Sequence, residues 1–244
     1  MARQAWTRNG KRWQVASPYA GADDLAKALR TAPLVAQVLH NRGLDDSNDA
    51  RAFLQPKLND LHDPVELPGC VAAARRIARA VQNKEPLAIY GDYDVDGMAS
   101  IAILHACLKL VDCPVRAYVP HRLEEGYGVN AEALRSLVAD GAKLIITVDC
   151  GISAADILAQ VGADIIVTDH HTLPERLPDV AGVVHPLLEA DEKTYPNPNL
   201  CGAGVAFKLA WQVARELCGE TRVDEPMRAF LLEATCLAAL GTIA

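Results

Sequence analysis

Between residues 87 and 184 the chain alternates short, nearly continuous apolar runs with segments of helical periodicity, and few folds accept that pattern. The runs are 87–90 (LAIY), 115–119 (VRAYV), 144–148 (LIITV), 164–168 (DIIVT) and 182–184 (GVV). Helices are expected between them at 98–110, 130–140 and 153–161, with Asn130 and Ser153 as N-caps. A strand that is apolar on both faces must be covered on both, and strand–helix–strand connections run right-handed. The fold class is therefore α/β, doubly wound, with a mainly parallel sheet. A loop rich in Pro and Asn at 188–200 follows, then helices at 203–217 and 226–240.

Upstream, apolar residues recur at helical spacing over 23–30, 33–41, 47–54 and 71–81. Residues 1–85 thus read as an N-terminal helical extension, and 86–244 as the sheet domain. Half of the residues are apolar and 23% are charged, so the chain can bury a core and is not disordered. The net charge of −7 excludes a bulk basic field that would hold a duplex by phosphate neutralisation alone. It does not exclude nucleic acid, because a site built from carboxylates also makes a protein acidic. The seven cysteines form no CxxC pair and read as reduced, buried thiols of a cytoplasmic protein. The N-terminus lacks a secretory pattern. No apolar stretch is read as approaching the ~20 residues that cross a bilayer, so no membrane partner is expected.

In a doubly wound sheet, function collects at the carboxyl ends of the strands. Here Gly91-Asp92-Tyr93-Asp94-Val95-Asp96-Gly97 follows the first run, Asp149-Cys150-Gly151 the third and Asp169-His170-His171 the fourth. Several carboxylates a few ångströms apart stay ionised only if something neutralises them. Asp and His without Cys suit Mn²⁺ or Mg²⁺, and the number of candidate ligands suggests two ions. Asp149, alone after its strand, is the candidate to bridge them. The DxDxDG run also resembles the start of an EF-hand loop, but the stretch after it is apolar and lacks the Glu that such a loop needs at its twelfth position. Cys150 has no second Cys placed to help it hold a soft metal.

The motifs IYGDYDVDGMAS, LIITVDCGIS and VTDHH resemble the successive motifs of the DHH phosphoesterases. The segments FLQP (53–56), LHDPVELPG (61–69), HRLEEGYGVN (121–130) and LCGAGVAFKLA (200–210) are similar to the bacterial single-strand-specific exonucleases of that family. The resemblance implies a DHH phosphoesterase domain that removes mononucleotides 5′→3′ from single-stranded DNA with Mn²⁺ or Mg²⁺, in recombination and repair. It matches Asp94, Asp96, Asp149 and His170 to metal ligands, with Asp149 also counted as catalytic. Asp92 matches an essential acidic position, touching the metals or standing behind residues that do. His171 matches a position at the metals or the scissile phosphate, stabilising phosphate charge if protonated or holding a tautomer if neutral. Asp169 is expected to orient a His.

Gly128 and Asn130, leading into one helix, and Gly202 and Gly204, opening another with Lys208 one turn in, are expected at the DNA backbone, with Arg122 beside them and Tyr127 stacking on a base. A single-strand-binding protein or a helicase is the expected protein partner. Alternatives within and beyond the family are a phosphoesterase for oligoribonucleotides or nucleoside bisphosphates, and a non-catalytic DNA-binding scaffold. Two departures accompany the resemblance. Gly241-Thr242-Ile243-Ala244 matches a G-T-x-A-D motif up to its metal-binding Asp, so the chain is expected to be an incomplete portion of a longer enzyme, without a second DHH-associated domain and an OB fold, and to bind metal more weakly. Val184-His185-Pro186 has His where such exonucleases carry Asn.

Overall fold

A computed structural model describes residues 5–8, 11–126, 128–190, 193–219 and 222–243. Tyr127 lies outside them, and so does Ala244. The chain forms two compact units, 1–61 and 62–244.

The first unit begins with an antiparallel hairpin, β1 (Ala5–Arg8) and β2 (Lys11–Gln14), where only helices were expected. Three helices follow, α1 (Ala22–Leu29), α2 (Pro33–Asn41) and α3 (Ser47–Leu54). Pro33 opens α2, where its missing N–H costs nothing. Asp46 caps α3 by accepting from the amides of Asn48 and Asp49. Leu25, Ala26, Ala36, Leu39 and Ala50 make this unit's core.

The second unit opens with α4 (Cys70–Gln82). This helix was expected in the N-terminal extension. Its Ala73, Ala74, Ile77 and Ala80 are instead buried in the core of the second unit, residues 62–244. Then come β3 (Leu87–Gly91), α5 (Val95–Lys109), β4 (Val115–Tyr118), α6 (Ala131–Ala139) and β5 (Leu144–Val148). They are followed by α7 (Ala155–Leu158), β6 (Asp164–Thr168) and β7 (Gly182–Val184). A small antiparallel pair, β8 (Glu189–Ala190) and β9 (Lys193–Thr194), precedes α8 (Gly202–Cys218) and α9 (Glu225–Ile243). Asn130 caps α6 as expected, accepting from the amides of Glu132 and Ala133. Ser153 is not the cap: α7 is one turn with Ala154 at its N-cap, and the chain turns at 159–160 before it enters β6.

Among the described residues the main sheet is five-stranded and wholly parallel, in the order β4-β3-β5-β6-β7. Strand residues alternate between two cores. Leu87, Ile89, Leu144, Ile146 and Ile166 face the layer of α4, α5, α8 and α9, whereas Ala88, Tyr90, Ile145, Ile165 and Val167 face α6 and α7. Both faces are covered, which is why the runs read as continuously apolar. Each such Ile or Leu contributes roughly 1.5–3 kcal/mol by leaving water. Successive strands lie on opposite sides of β3, so the chain's direction of travel reverses between β3 and β5. The crevice opens there, at their carboxyl ends.

By length and composition, α9 is long and apolar enough to cross a bilayer, contrary to the reading of the sequence. Its Met227, Leu231 and Ala234 belong to the core that α5 and α8 also build.

Candidate metal centre

The centre is assembled where β3, β5 and β6 end. After β3 the chain turns sharply into α5. Asp94 caps that helix, its Oδ1 accepting from the Gly97 amide at 2.9 Å. Asp92 is buried and accepts from the Tyr93 amide at 2.6 Å. Burial raises the Asp92 carboxyl above its usual range, although the Tyr93 amide pulls the other way.

Asp96 is held from across the fold. Its two carboxylate oxygens accept from the amides of Gly202 and Ala203, each at 2.7 Å, at the N-terminus of α8. Free amides and the helix dipole both favour a carboxylate there. The approach is close. A Cβ on Gly202 would lie 2.6 Å from Asp149 Oδ1, and one on Gly241 of α9 would lie 2.4 Å from Asp96 Oδ1. Only hydrogen fits at either position without moving a carboxylate.

After β5, Asp149 adopts φ 58°, a left-handed conformation that few side chains accept and Asp tolerates. It is 1% exposed. Its Oδ1 lies 3.1 Å from His170 Nε2, and among the described residues no hydrogen bond of good geometry satisfies this buried oxygen. Burial, opposed by His170 and reinforced by Asp96, pushes the Asp149 carboxyl up to about 6. The adjoining Asp149 carboxylate in turn raises His170, against its own burial. His170 Nε2 is also 3.5 Å from Asp96 Oδ2.

After β6, Asp169 is buried and organises the loop around itself. Its Oδ1 accepts from the amides of His170 (2.7 Å) and His171 (3.1 Å), and lies 2.7 Å from His171 Nδ1. Its Oδ2 accepts from the Ile152 amide. Burial alone would raise this carboxyl, but the Ile152 amide and the His171 contacts together hold it below its usual range. With Nδ1 turned to Asp169, His171 presents Nε2 as its other nitrogen.

Ligand atoms of Asp149, His170 and His171 lie within 4.8 Å of one another. The donors are oxygens and imidazoles, and one buried oxygen has no well-formed hydrogen bond among the described residues. That set fits a hard or borderline divalent cation. Asp92, Asp94 and Asp96 supply further carboxylates along the same edge. The structure therefore brings together Asp96, Asp149 and His170, with Asp169 orienting His171.

The expected DNA contacts divide. Arg122 is exposed, its guanidinium 5.0 Å over the Tyr93 ring at the rim. Tyr127 lies outside the described residues. Gly128 and Asn130 are tied to the buried Tyr90 hydroxyl, which donates to the Gly128 carbonyl and accepts from the Asn130 amide. The Asn130 side-chain oxygen is occupied in capping α6. The Gly202 amide serves Asp96, and the Gly204 amide donates to Cys201 Sγ, so neither is open to a phosphate. Lys208 is buried at 3% exposure. Its Nζ donates to the His62 carbonyl and lies 5.0 Å over the Trp211 ring, so it is a structural cation rather than a DNA contact. Sequence alone reveals neither the grip of α8 on Asp96 nor the close approach of Gly241. The CGAG run was visible, but nothing local said that its amides turn to a carboxylate 106 residues earlier.

The model of the DHH family, N-terminal domain, matches residues 86–239. The single-stranded-DNA-specific exonuclease RecJ of Bacillus subtilis is 42% identical over 237 residues, covering 96% of this chain and 28% of that protein. A crystal structure of RecJ in complex with Mn²⁺ from Thermus thermophilus is similar with a TM-score of 0.70 at 32% identity, over 93% of this chain and 31% of that one. A crystal structure of exonuclease RecJ bound to manganese has a TM-score of 0.63 at 38% identity, over 75% of this chain and 45% of that one. The chain spans less than half the length of each of these proteins.

Proposed function

The chain belongs to the DHH family, and on that premise we propose that it carries the metal-binding catalytic domain of a 5′→3′ single-stranded-DNA exonuclease. The observation that carries the reading is the convergence of Asp149, His170 and His171 around a buried carboxylate oxygen that no well-formed hydrogen bond satisfies among the described residues. Asp94, Asp96, Asp149 and His170 would hold two Mn²⁺ or Mg²⁺ ions, with Asp92 and His171 beside these residues. When bound, such ions make a nucleophile available near neutral pH and offset charge on the phosphoryl oxygens.

The chain's own groups supply the rest. The amides of Gly202 and Ala203 aim Asp96. Asp169 fixes the His171 ring and tautomer, a second layer of support common behind metal ligands. Arg122 at the rim, its guanidinium over the Tyr93 ring, offers a cation to a phosphate. The substrate is single-stranded DNA, in the cytoplasm, with a single-strand-binding protein or a helicase as partner. The 5′→3′ polarity rests on family resemblance.

The test is to incubate the protein with end-labelled single-stranded oligonucleotides and with dinucleotides, in MnCl₂ or EDTA. Mononucleotides leaving the 5′ end of the long strand, only with metal, are expected. Preference for dinucleotides or nucleoside bisphosphates would move the assignment to a small-substrate phosphoesterase, and Mn²⁺ binding without any cleavage would point to a scaffold.

A further inference from the structure

His185 is wholly buried one residue past the end of β7, and none of the roles above uses it. Its two ring nitrogens are both engaged by backbone. Nδ1 lies 3.1 Å from the Leu187 amide, and an amide can only donate, so Nδ1 carries the lone pair. The proton is then on Nε2, which donates to the His171 carbonyl at 2.8 Å. No nitrogen is left for a metal, so His185 is not a ligand.

The partner carbonyl gives this contact its meaning. Asp169 grips the His170-His171 segment from one side, through both amides and the His171 ring. His185 grips it from the other, through the carbonyl that leaves it. His185 is itself anchored. The amide of Asp169 donates to the Val184 carbonyl next door, and the His185 amide donates to the Pro68 carbonyl at 3.4 Å. The segment that offers two imidazoles to the centre is therefore clamped at its amides and at its carbonyl.

We propose that His185 is a positioning residue: its Nε2–H tautomer fixes the His171 carbonyl and thereby sets the direction in which His170 and His171 face the metals. The claim rests on the metal-dependent nuclease reading and deepens it. A side-chain amide carries the same pair of functions, an acceptor for the Leu187 amide and a donor for the His171 carbonyl. Asn should therefore substitute where an apolar ring of similar size should not.

The experiment compares the wild-type protein with His185→Asn and His185→Phe. Mn²⁺ affinity is read by calorimetry, the bound ion by its electron paramagnetic resonance spectrum, and kcat and KM on a single-stranded oligonucleotide. Removing support from behind a metal ligand costs roughly 10–100-fold in affinity or activity. His185→Phe should lose about that much in kcat and Mn²⁺ affinity, with KM for DNA within about twofold, and should alter the Mn²⁺ spectrum. His185→Asn should recover to within about threefold of wild type. Equal loss in both variants, or a folded His185→Phe with wild-type kcat and Mn²⁺ spectrum, overturns the proposal. Should His185→Phe fail to fold, long-range ¹H–¹⁵N correlation on the wild type decides: a protonated Nε2 and bare Nδ1 on His185 support the clamp, and the opposite tautomer refutes it. That measurement needs neither metal nor cleavage. A wild-type protein that neither binds Mn²⁺ nor cuts DNA would defeat the proposed function while leaving this test standing.

Discussion

Asp149→Asn separates what the centre does for stability from what it does for metal. In the metal-free fold the Asp149 carboxyl rises from 3.8 to about 6, chiefly through burial. A carboxyl with a higher pKa in the folded state is destabilising once ionised. The penalty appears as pH rises through 3.8 and is complete above about 6. At 1.36 kcal/mol per pH unit it amounts to about 3 kcal/mol at pH 7.5. Asn removes the charge, keeps the shape, and accepts the left-handed backbone at φ 58°. In EDTA at pH 7.5 the variant should therefore melt higher than wild type, by roughly 6–12 °C at about 2–4 °C per kcal/mol for a chain of this size. The gap should close as pH is lowered below about 4. In MnCl₂ at 1,000 times its Kd the order should reverse, since such a ligand adds about 4.1 kcal/mol to whichever protein binds it. Thermal melts by circular dichroism, with and without metal at several pH values, read all three effects. A variant that melts no higher than wild type in EDTA, or keeps the Mn²⁺-dependent rise, refutes the reasoning.

Two further outcomes are expected. Lys208 is buried and its pKa falls to about 8, mainly through burial, so folding is penalised while it is charged, below about pH 8, and the penalty fades as pH rises toward 10.5. Urea denaturation should find Lys208→Met more stable relative to wild type at pH 7 than at pH 10.5, by about 3 kcal/mol, with KM for single-stranded DNA unchanged; a pH-independent difference, or a weakened KM, would restore Lys208 as a DNA contact. Gly241→Ala places a Cβ 2.4 Å from Asp96 Oδ1 and 2.7 Å from Ala203 Cβ. Overpacking of this kind costs roughly 1–3 kcal/mol, and calorimetry should show Mn²⁺ affinity falling at least about tenfold; wild-type affinity would mean that Asp96 is not held as described.

The sheet and the positions of its acids were legible in the residues because both are local. LAIY, LIITV and DIIVT are apolar on both faces because helices cover both, and the turn after a strand carries whatever the carboxyl edge presents. From those runs alone followed a parallel sheet, a carboxylate-rich edge and the need for a cation. Asn130 was legible as a cap for the same reason: the amides it serves are its own neighbours. Tertiary structure decided what lies far apart along the chain. The CGAG turn looks like a phosphate cradle, yet its amides close on Asp96, because a buried carboxylate competes for free amides at a helix N-terminus. Lys208 looks like a DNA contact one turn inside a helix, yet packing sends it to the His62 carbonyl and the Trp211 ring. Periodicity placed residues 71–81 on a helix without saying which body the helix joins. His185 reads as one more residue beside a proline until folding sets it against the His171 carbonyl. Strand and cap signals come from covalent neighbours, whereas the partner of a buried polar group is chosen by whichever elements the fold happens to press together.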